Sequence, residues 1–327
     1  MKKTLLAVSV CLLSMLPLVA VAGEVAVTSV TAQQRYPWNG LVDITVTIQG
    51  TEDDAAVARC SFVATNSANK AEILVAHVTR NGTAVGSGNV WTRKFIWDAK
   101  ADVGAVKIDD VALSVDASCG VQLWENGPYW AECNVGASQP EEYGYYFWWG
   151  DTVGYKRNAS NNGWVSVRWV SVKYGTGYSF NDCPTYRKSN SQLQSDGYID
   201  STGNLVAMHD AATVHLGVPW RMPTDAEFSA LINNCDTEWT SRNGVNGLLV
   251  KGRGAYASKS IFLPAAGSGY VSSLSSLGSY GYYWSSTPYS DNSSYAWRLR
   301  FYSGDFNRYD NYRYRGQSVR PVRGFAK

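Results

Sequence analysis

The side chains best suited to chemistry crowd the end of the chain. Between residues 289 and 315 stand Tyr289, Asp291, Tyr295, Arg298, Arg300, Tyr302, Asp305, Asn307, Tyr309, Asp310, Asn311, Tyr312, Tyr314 and Arg315, every one Tyr, Asp, Arg or Asn. Tyrosine gives a large contact area at low conformational-entropy cost, and short polar residues add adaptable hydrogen bonds, as in an antibody paratope. Arg and Tyr together suit a protein, a glycan or an acidic group. The competing reading is an exposed polar strand with no ligand. The density of Tyr and Arg, without Lys or Glu in the stretch, favours binding.

Other chemistries fit the residues less well. The three histidines are His77, His209 and His215. His209 and His215 are six apart and would face different ways on a helix. The cysteines are widely spaced and match no zinc pattern. Asp196, Asp200 and Asn204 offer calcium-ligand oxygens without the spacing of an EF-hand loop. Gln139-Pro140-Glu141 superficially matches a sugar-binding lectin tripeptide, but a turn before Tyr143 is the better reading. No convergent polar cluster marks a catalytic pocket. No catalytic residue, metal or cofactor is therefore expected, and the chain is read as a non-enzymatic binding protein. The rivals are a secreted enzyme of unknown chemistry and a purely structural surface component.

The positioning elements follow from periodicity. Trp297, Leu299 and Phe301 alternate with Arg298, Arg300 and Tyr302, so a strand should bury the first set and expose the second. Gly304 permits a turn. Residues 307–315 hold no apolar set, so Tyr309, Tyr312 and Tyr314 should lie exposed nearby. Upstream, Thr224 and Glu227 form a Thr-x-x-Glu capping box ahead of Phe228, Leu231 and Ile232, which share one helical face. A shorter helix is expected over 210–215. Before Ser118 the chain looks all-β: 43–48 alternates strictly, 73–78 reads as a second strand, 91–97 as a third and 111–115 as a last.

The 327-residue length suggests two domains. Lys2 and Lys3, an apolar run over 5–19, and Ala20 and Ala22 read as a secretory signal. The run is too short to span a membrane, which takes about 20 apolar residues. The expected organisation is a signal over 1–22, an immunoglobulin-like β-sandwich over 23–118 and a second domain over 119–327. Export places the chain in the periplasm, on the cell surface or outside the cell. Partners would be a protein or glycan on another cell, phage or host surface, with no membrane span. A net charge of +2 supplies no drive toward nucleic acid. Removing Cys11 with the signal leaves Cys60, Cys119, Cys133, Cys183 and Cys235, an odd number for an exported chain.

A family resemblance rests on separated motifs in order. They are Trp130-Ala131-Glu132-Cys133-Asn134-Val135-Gly136-Ala137, Trp149-Gly150-Asp151-Thr152, Trp220-Arg221-Met222-Pro223-Thr224-Asp225-Ala226-Glu227-Phe228, Phe262-Leu263-Pro264-Ala265-Ala266-Gly267, Tyr283-Trp284-Ser285-Ser286 and Ser318-Val319-Arg320-Pro321-Val322-Arg323. Together they resemble the Fibrobacter succinogenes major paralogous domain. That family is similar to the formylglycine-generating-enzyme branch of the C-type-lectin-like fold, so the resemblance implies an α+β domain of that type over 119–327. Formylglycine chemistry needs late cysteines, and none follows Cys235. The same region resembles the variable proteins of diversity-generating retroelements, which randomise exposed residues near the C-terminus. The resemblance implies that the fourteen residues named first form a diversified binding face. In the family-like part of an exported chain, Cys133 and Cys235 are expected to be bridged.

The export reading has a direct check. N-terminal sequencing of the exported chain should begin near Gly23; a cytoplasmic chain that retains Met1 would end it.

Overall fold

The computed structural model describes residues 25–37, 39–67, 69, 71–73, 75, 77–104, 111–157, 164–166, 173–174, 183–270 and 273–324. The expected signal, with Cys11, lies outside the described residues, as do Leu74 and Ala76. The chain divides into two compact units, Met1–Cys119 and Gly120–Lys327.

The first unit is built on Leu41–Gln49, whose Val42, Ile44, Val46 and Ile48 are all buried. Strict alternation puts these four on one face of the strand. It pairs with Ala26–Gln34 on one side and Val90–Asp98 on the other, both antiparallel. A second sheet runs Glu72–Ile73, Arg59–Asn66, Val111–Ser118. Residues of both sheets share one apolar core. The expected single strand over 73–78 is two strands. Ile73 belongs to the sheet with Arg59–Asn66, and Val78 to the sheet with Val90–Asp98. The chain changes sheets here while Ile73, Val75 and Val78 all reach the shared core. Arg93 is buried and donates Nη1 to the carbonyls of Ala55 and Ala58 at 3.0 and 2.6 Å, closing the end of the short helix Glu52–Val57.

The second unit corrects the expected α+β C-type-lectin-like fold. Over the described residues of both units strand amounts to 44% and helix to 15%, and the second unit holds several small antiparallel sheets with few helices. Among the described residues its α-helices are Asn190–Ser195, Ala211–Leu216 and Asp225–Asn234, the longest ten residues. The physical reason lies in the sequence itself. Only the stretch after Thr224 sustains an apolar helical period, and turns interrupt the rest. Each of these three helices carries a side-chain N-cap. The Thr224 hydroxyl accepts from the Glu227 N–H at 3.2 Å while Glu227 accepts from the Thr224 N–H at 2.8 Å. Arg221 then clamps both Glu227 oxygens at 2.7 and 2.6 Å. Asp210 caps Ala211–Leu216 and also accepts from the Met222 N–H at 2.8 Å; burial pushes its carboxyl up to about 6.

The C-terminal sheet orders Gly281–Pro288, Tyr295–Tyr302 and Asp305–Tyr312, all antiparallel. Its Tyr283, Leu299 and Phe301 pack with Phe228 and Leu231 of Asp225–Asn234 and with Trp130. On the opposite face, Trp284 and Ala296 pack with Phe147 and Trp149. The sheet is therefore clasped from both sides at one end.

Buried arginines tie these small sheets together. Arg320 is fully buried and donates to Asn134 Oδ1 at 2.9 Å, to the carbonyls of Ala131 and Phe262 at 2.9 Å each, and to the Glu132 carbonyl. Asn134 carries the network on through its amide to the Tyr143 carbonyl at 3.0 Å and Tyr283 Oη at 3.3 Å. Each buried acceptor left without a donor costs about 1–3 kcal/mol. Replacing Arg320 by Met is therefore expected to cost at least about 3 kcal/mol. Urea unfolding reads this directly, and an unchanged midpoint would mean that the carbonyls had found other donors.

Candidate functional site

Pairing register assigns each expected site residue to a face of the C-terminal sheet. Arg298 lies between Trp284 and Tyr309, and Arg300 between Tyr282 and Asn307. With the two-residue period, Arg298, Arg300, Tyr302, Asp305, Asn307, Tyr309 and Asn311 share one side. Trp297, Leu299, Phe301, Phe306, Arg308, Asp310, Tyr295 and Tyr312 share the other.

On the first side, tyrosines and guanidinium groups cover each other. Arg298 lies over the ring of Tyr282 at 4.5 Å, and Arg300 over Tyr309 at 3.6 Å. Tyr280 stacks on Tyr282 at 5.8 Å and leans on Tyr302 at 5.0 Å. Asp305 accepts from Arg300 Nη2 at 2.8 Å and from Tyr309 Oη at 3.1 Å, which closes the hairpin turn around one carboxylate. Burial opposes the charge on Arg300, but the Asp305 bond and the neighbouring Tyr309, Asp305 and Tyr282 groups together outweigh it and raise the group. Arg315 caps the Tyr270 ring at 4.0 Å.

The second side is more closely packed. Tyr295 and Tyr312 face each other across the strands with ring centroids 4.4 Å apart. Tyr289 meets Trp297 edge-on at 5.0 Å, while Asp291 is exposed in the preceding loop. Arg308 spans from the Trp297 ring, at 5.0 Å, to the Asp225 carboxylate on the helix. Asp310 lies opposite Trp297 in register.

Several expectations need correction. Leu299 and Phe301 are buried, but Trp297 is only half-buried, because Arg308 and Tyr289 rather than the core cover it. Arg298, Arg300, Tyr302, Tyr309 and Tyr312 are half-buried instead of freely exposed. Tyr314 is buried at 7% exposure, in a cluster with Trp148 and Cys183 that Tyr186, Tyr270 and Tyr312 border. The chain leaves the sheet after Tyr312, so alternation no longer governs Tyr314. Arg313 beside it is fully buried, donating to the carbonyls of Tyr295, Thr185 and Lys188 at 2.8, 2.9 and 2.9 Å. Burial pushes this guanidinium down to about 10.

The bridge expected between Cys133 and Cys235 is not formed, and both thiols are free. Cys133 Sγ donates to the Ser138 carbonyl at 3.5 Å, whereas Cys235 packs into the apolar core around Phe228. The calcium-type oxygens are engaged locally. Asp196 pairs with Lys188 at 2.5 Å, Asp200 Oδ1 closes its own turn through Thr202 and Asn204, and Asn204 Oδ1 accepts from Thr287 at 2.7 Å. Among the described residues, no three His, Cys, Asp or Glu side chains gather as a metal centre requires. His215 is held by the Thr152 carbonyl at 2.9 Å, and His209 rests on Tyr198. Among the described residues, no helix is long and apolar enough to cross a membrane.

Sequence reading missed Tyr280, Tyr282 and Arg308. The first two are spaced by two around buried Gly281, the same signal that marked Arg298 and Arg300. The profile of a domain of unknown function (DUF8237) matches residues 253–322, which include this whole sheet. No curated protein and no solved structure matches the chain.

Burial separates two tyrosines that sequence alone treats alike. Tyr314→Ala is expected to cost about 3 kcal/mol or more as a core truncation. Tyr302→Ala should cost about 1 kcal/mol or less, since it loses one partly exposed aromatic contact. Thermal unfolding of the two variants decides between them; equal losses would place both in the core.

Proposed function

We propose that this chain is an exported, non-enzymatic recognition protein that binds a macromolecular partner through the side of the C-terminal sheet bearing Arg298, Arg300, Tyr302, Asp305, Asn307 and Tyr309, flanked by Tyr280 and Tyr282. One observation carries the reading. The face presents a dense set of Tyr and Arg side chains while alternate residues of the same strands, Leu299 and Phe301, supply the core. The frame that holds the face is thus largely separate from the groups that would touch a ligand. Large, stiff aromatic side chains and arginines are the types that dominate binding hot spots.

The same separation supports a further part of the proposal, that these positions are diversified by a retroelement. Residues on one side of a strand can change type while ladder hydrogen bonds and the opposite face keep the register. Tyr314 is outside this set, because it is buried. The adjoining DNA tests it: a reverse-transcriptase gene and a partial copy of the 3′ end, differing at template adenines, are the expected neighbours.

Binding itself is tested by paired measurements. A surface partner recovered by cross-linking to the full chain should lose on the order of 2 kcal/mol of affinity for each of Tyr302→Ala and Tyr309→Ala. Each variant should unfold within a few degrees of the parent. A partner that binds both variants at parental affinity would remove this face from the recognition model.

A further inference from the structure

Arg298 stands apart in how its charge is met. Arg93, Arg313 and Arg320 are each held by backbone carbonyls, and Arg221, Arg300 and Arg308 by carboxylates. Arg298 makes no hydrogen bond and no ion pair among the described residues, and its Nε is sealed from solvent with no acceptor. Among the described residues its one close partner is the ring of Tyr282, and Tyr280 stacks on that same ring. Burial pushes the group down to about 10, with Arg300 and Arg315 pushing the same way against the Tyr282 hydroxyl and Asp310. A desolvated cation without a hydrogen-bonding partner costs folding free energy. Buried polar groups are otherwise satisfied almost everywhere in native proteins, so an exception calls for a cause.

The surroundings indicate what is missing. Arg298, Arg300 and Arg315 bring three positive charges to this region, and the carboxylate of Asp305 is already engaged by Arg300 and Tyr309. Asp310 lies on the opposite side of the sheet by register. A carboxylate is the group that answers a guanidinium fork best, through two parallel charge-assisted hydrogen bonds. A sugar would instead look for bare aromatic faces to stack on. Here Tyr282 is covered by Arg298 and Tyr280, Tyr309 by Arg300, and Tyr270 by Arg315. The unused capacity is that of a cation.

We propose that Arg298 is the receptor for an Asp or Glu carboxylate in an acidic segment of a partner protein, with Arg300 and Arg315 setting the preference for negative charge around it. This rests on the recognition reading of the same face and specifies its ligand. The stability that Arg298 costs the free protein is then recovered when the carboxylate arrives, so the residue is kept for binding and not for folding.

The test selects displayed random dodecapeptides on the full chain and measures one selected peptide against variants. The parent should enrich peptides in Asp and Glu. Arg298→Met keeps the stem over Tyr282 and should weaken the selected peptide about ten- to hundredfold, the worth of a hydrogen bond to a charged group. Changing the peptide's acidic residue to its amide should cost a similar factor in the parent and little more in Arg298→Met, as coupled partners do in a double-mutant cycle. Arg298→Met should melt at or above the parental temperature, because an unanswered cation has been removed; a clear drop would make Arg298 a structural residue and overturn the proposal. Peptides without acidic bias that still depend on Tyr302 would sink the carboxylate assignment while leaving the face as a binding surface. Peptides indifferent to Tyr302, Tyr309 and Arg298, or no peptide enrichment together with no Arg298-dependent oligosaccharide binding, would end both readings. Arg298-dependent binding of sialylated or uronate oligosaccharides, without peptide enrichment, would overturn the choice of a protein partner.

Discussion

The second unit depends on the hydrogen bonds that Arg320 makes inside it. Sheets of two or three short strands cannot satisfy all their own backbone groups, and loops leave many carbonyls pointing inward. A guanidinium has five donors in a fixed plane and no acceptor, so it can serve several carbonyls at once. Arg320 does this for Ala131, Glu132 and Phe262, and reaches Tyr283 through Asn134. Tyr283 in turn donates to the Pro264 carbonyl at 2.7 Å, and burial pushes its hydroxyl up to about 12. Segments more than a hundred residues apart in sequence are thereby fixed to the strand beneath the candidate face. Arg313 repeats the device at the sheet's other end, joining Tyr295 to Thr185 and Lys188.

Rigidity at that level bears on the proposed recognition role. The sheet Gly281–Pro288, Tyr295–Tyr302 and Asp305–Tyr312 is held by its ladder, by Leu299 and Phe301 on the helix side, and by Trp284 and Ala296 on the other. The Ser285–Thr287 irregularity in its first strand is pinned too. Trp149 Nε1 donates to the Ser285 carbonyl at 2.8 Å, and the Ser286 N–H donates to the Pro223 carbonyl at 2.8 Å. Side chains on such a frame would lose little backbone entropy on binding the proposed partner, which would favour affinity at modest contact area. The arginines divide by role accordingly. Those bonded to carbonyls hold the fold, Arg308 ties the sheet to the helix through Asp225, and Arg298 alone on its face is without a hydrogen-bonding partner among the described residues while its Nε is buried.

Much of the local structure was legible in the residues. The Thr224 capping box, the Asp210-capped helix, the alternating Leu41–Gln49 strand and the Tyr295–Tyr302 strand all follow from patterns a few residues long. The candidate face was partly legible for the same reason, because Arg298, Arg300 and Tyr302 obey a period of two. The α+β C-type-lectin-like expectation came from motif resemblance, not from periodicity, and the strand-dominated structure does not support it. The Cys133–Cys235 bridge likewise rested on context, and the structure places Cys235 in an apolar core instead.

The sequence by itself determined which residues alternate, where helices start and where the chain can turn, since these depend on neighbours within one strand or one helical turn. Only the tertiary structure decided which members of each pattern are covered. Trp297 is left half-buried because Arg308 and Tyr289 cover it from one strand away and from a loop. Tyr314 is buried because Trp148, Tyr186 and Tyr270 converge on it from distant segments. Arg298 is desolvated because Tyr282 belongs to the neighbouring strand and Tyr309 to the other. Burial is a property of the surroundings that packing assembles, and no pattern confined to a short stretch of chain encodes those surroundings.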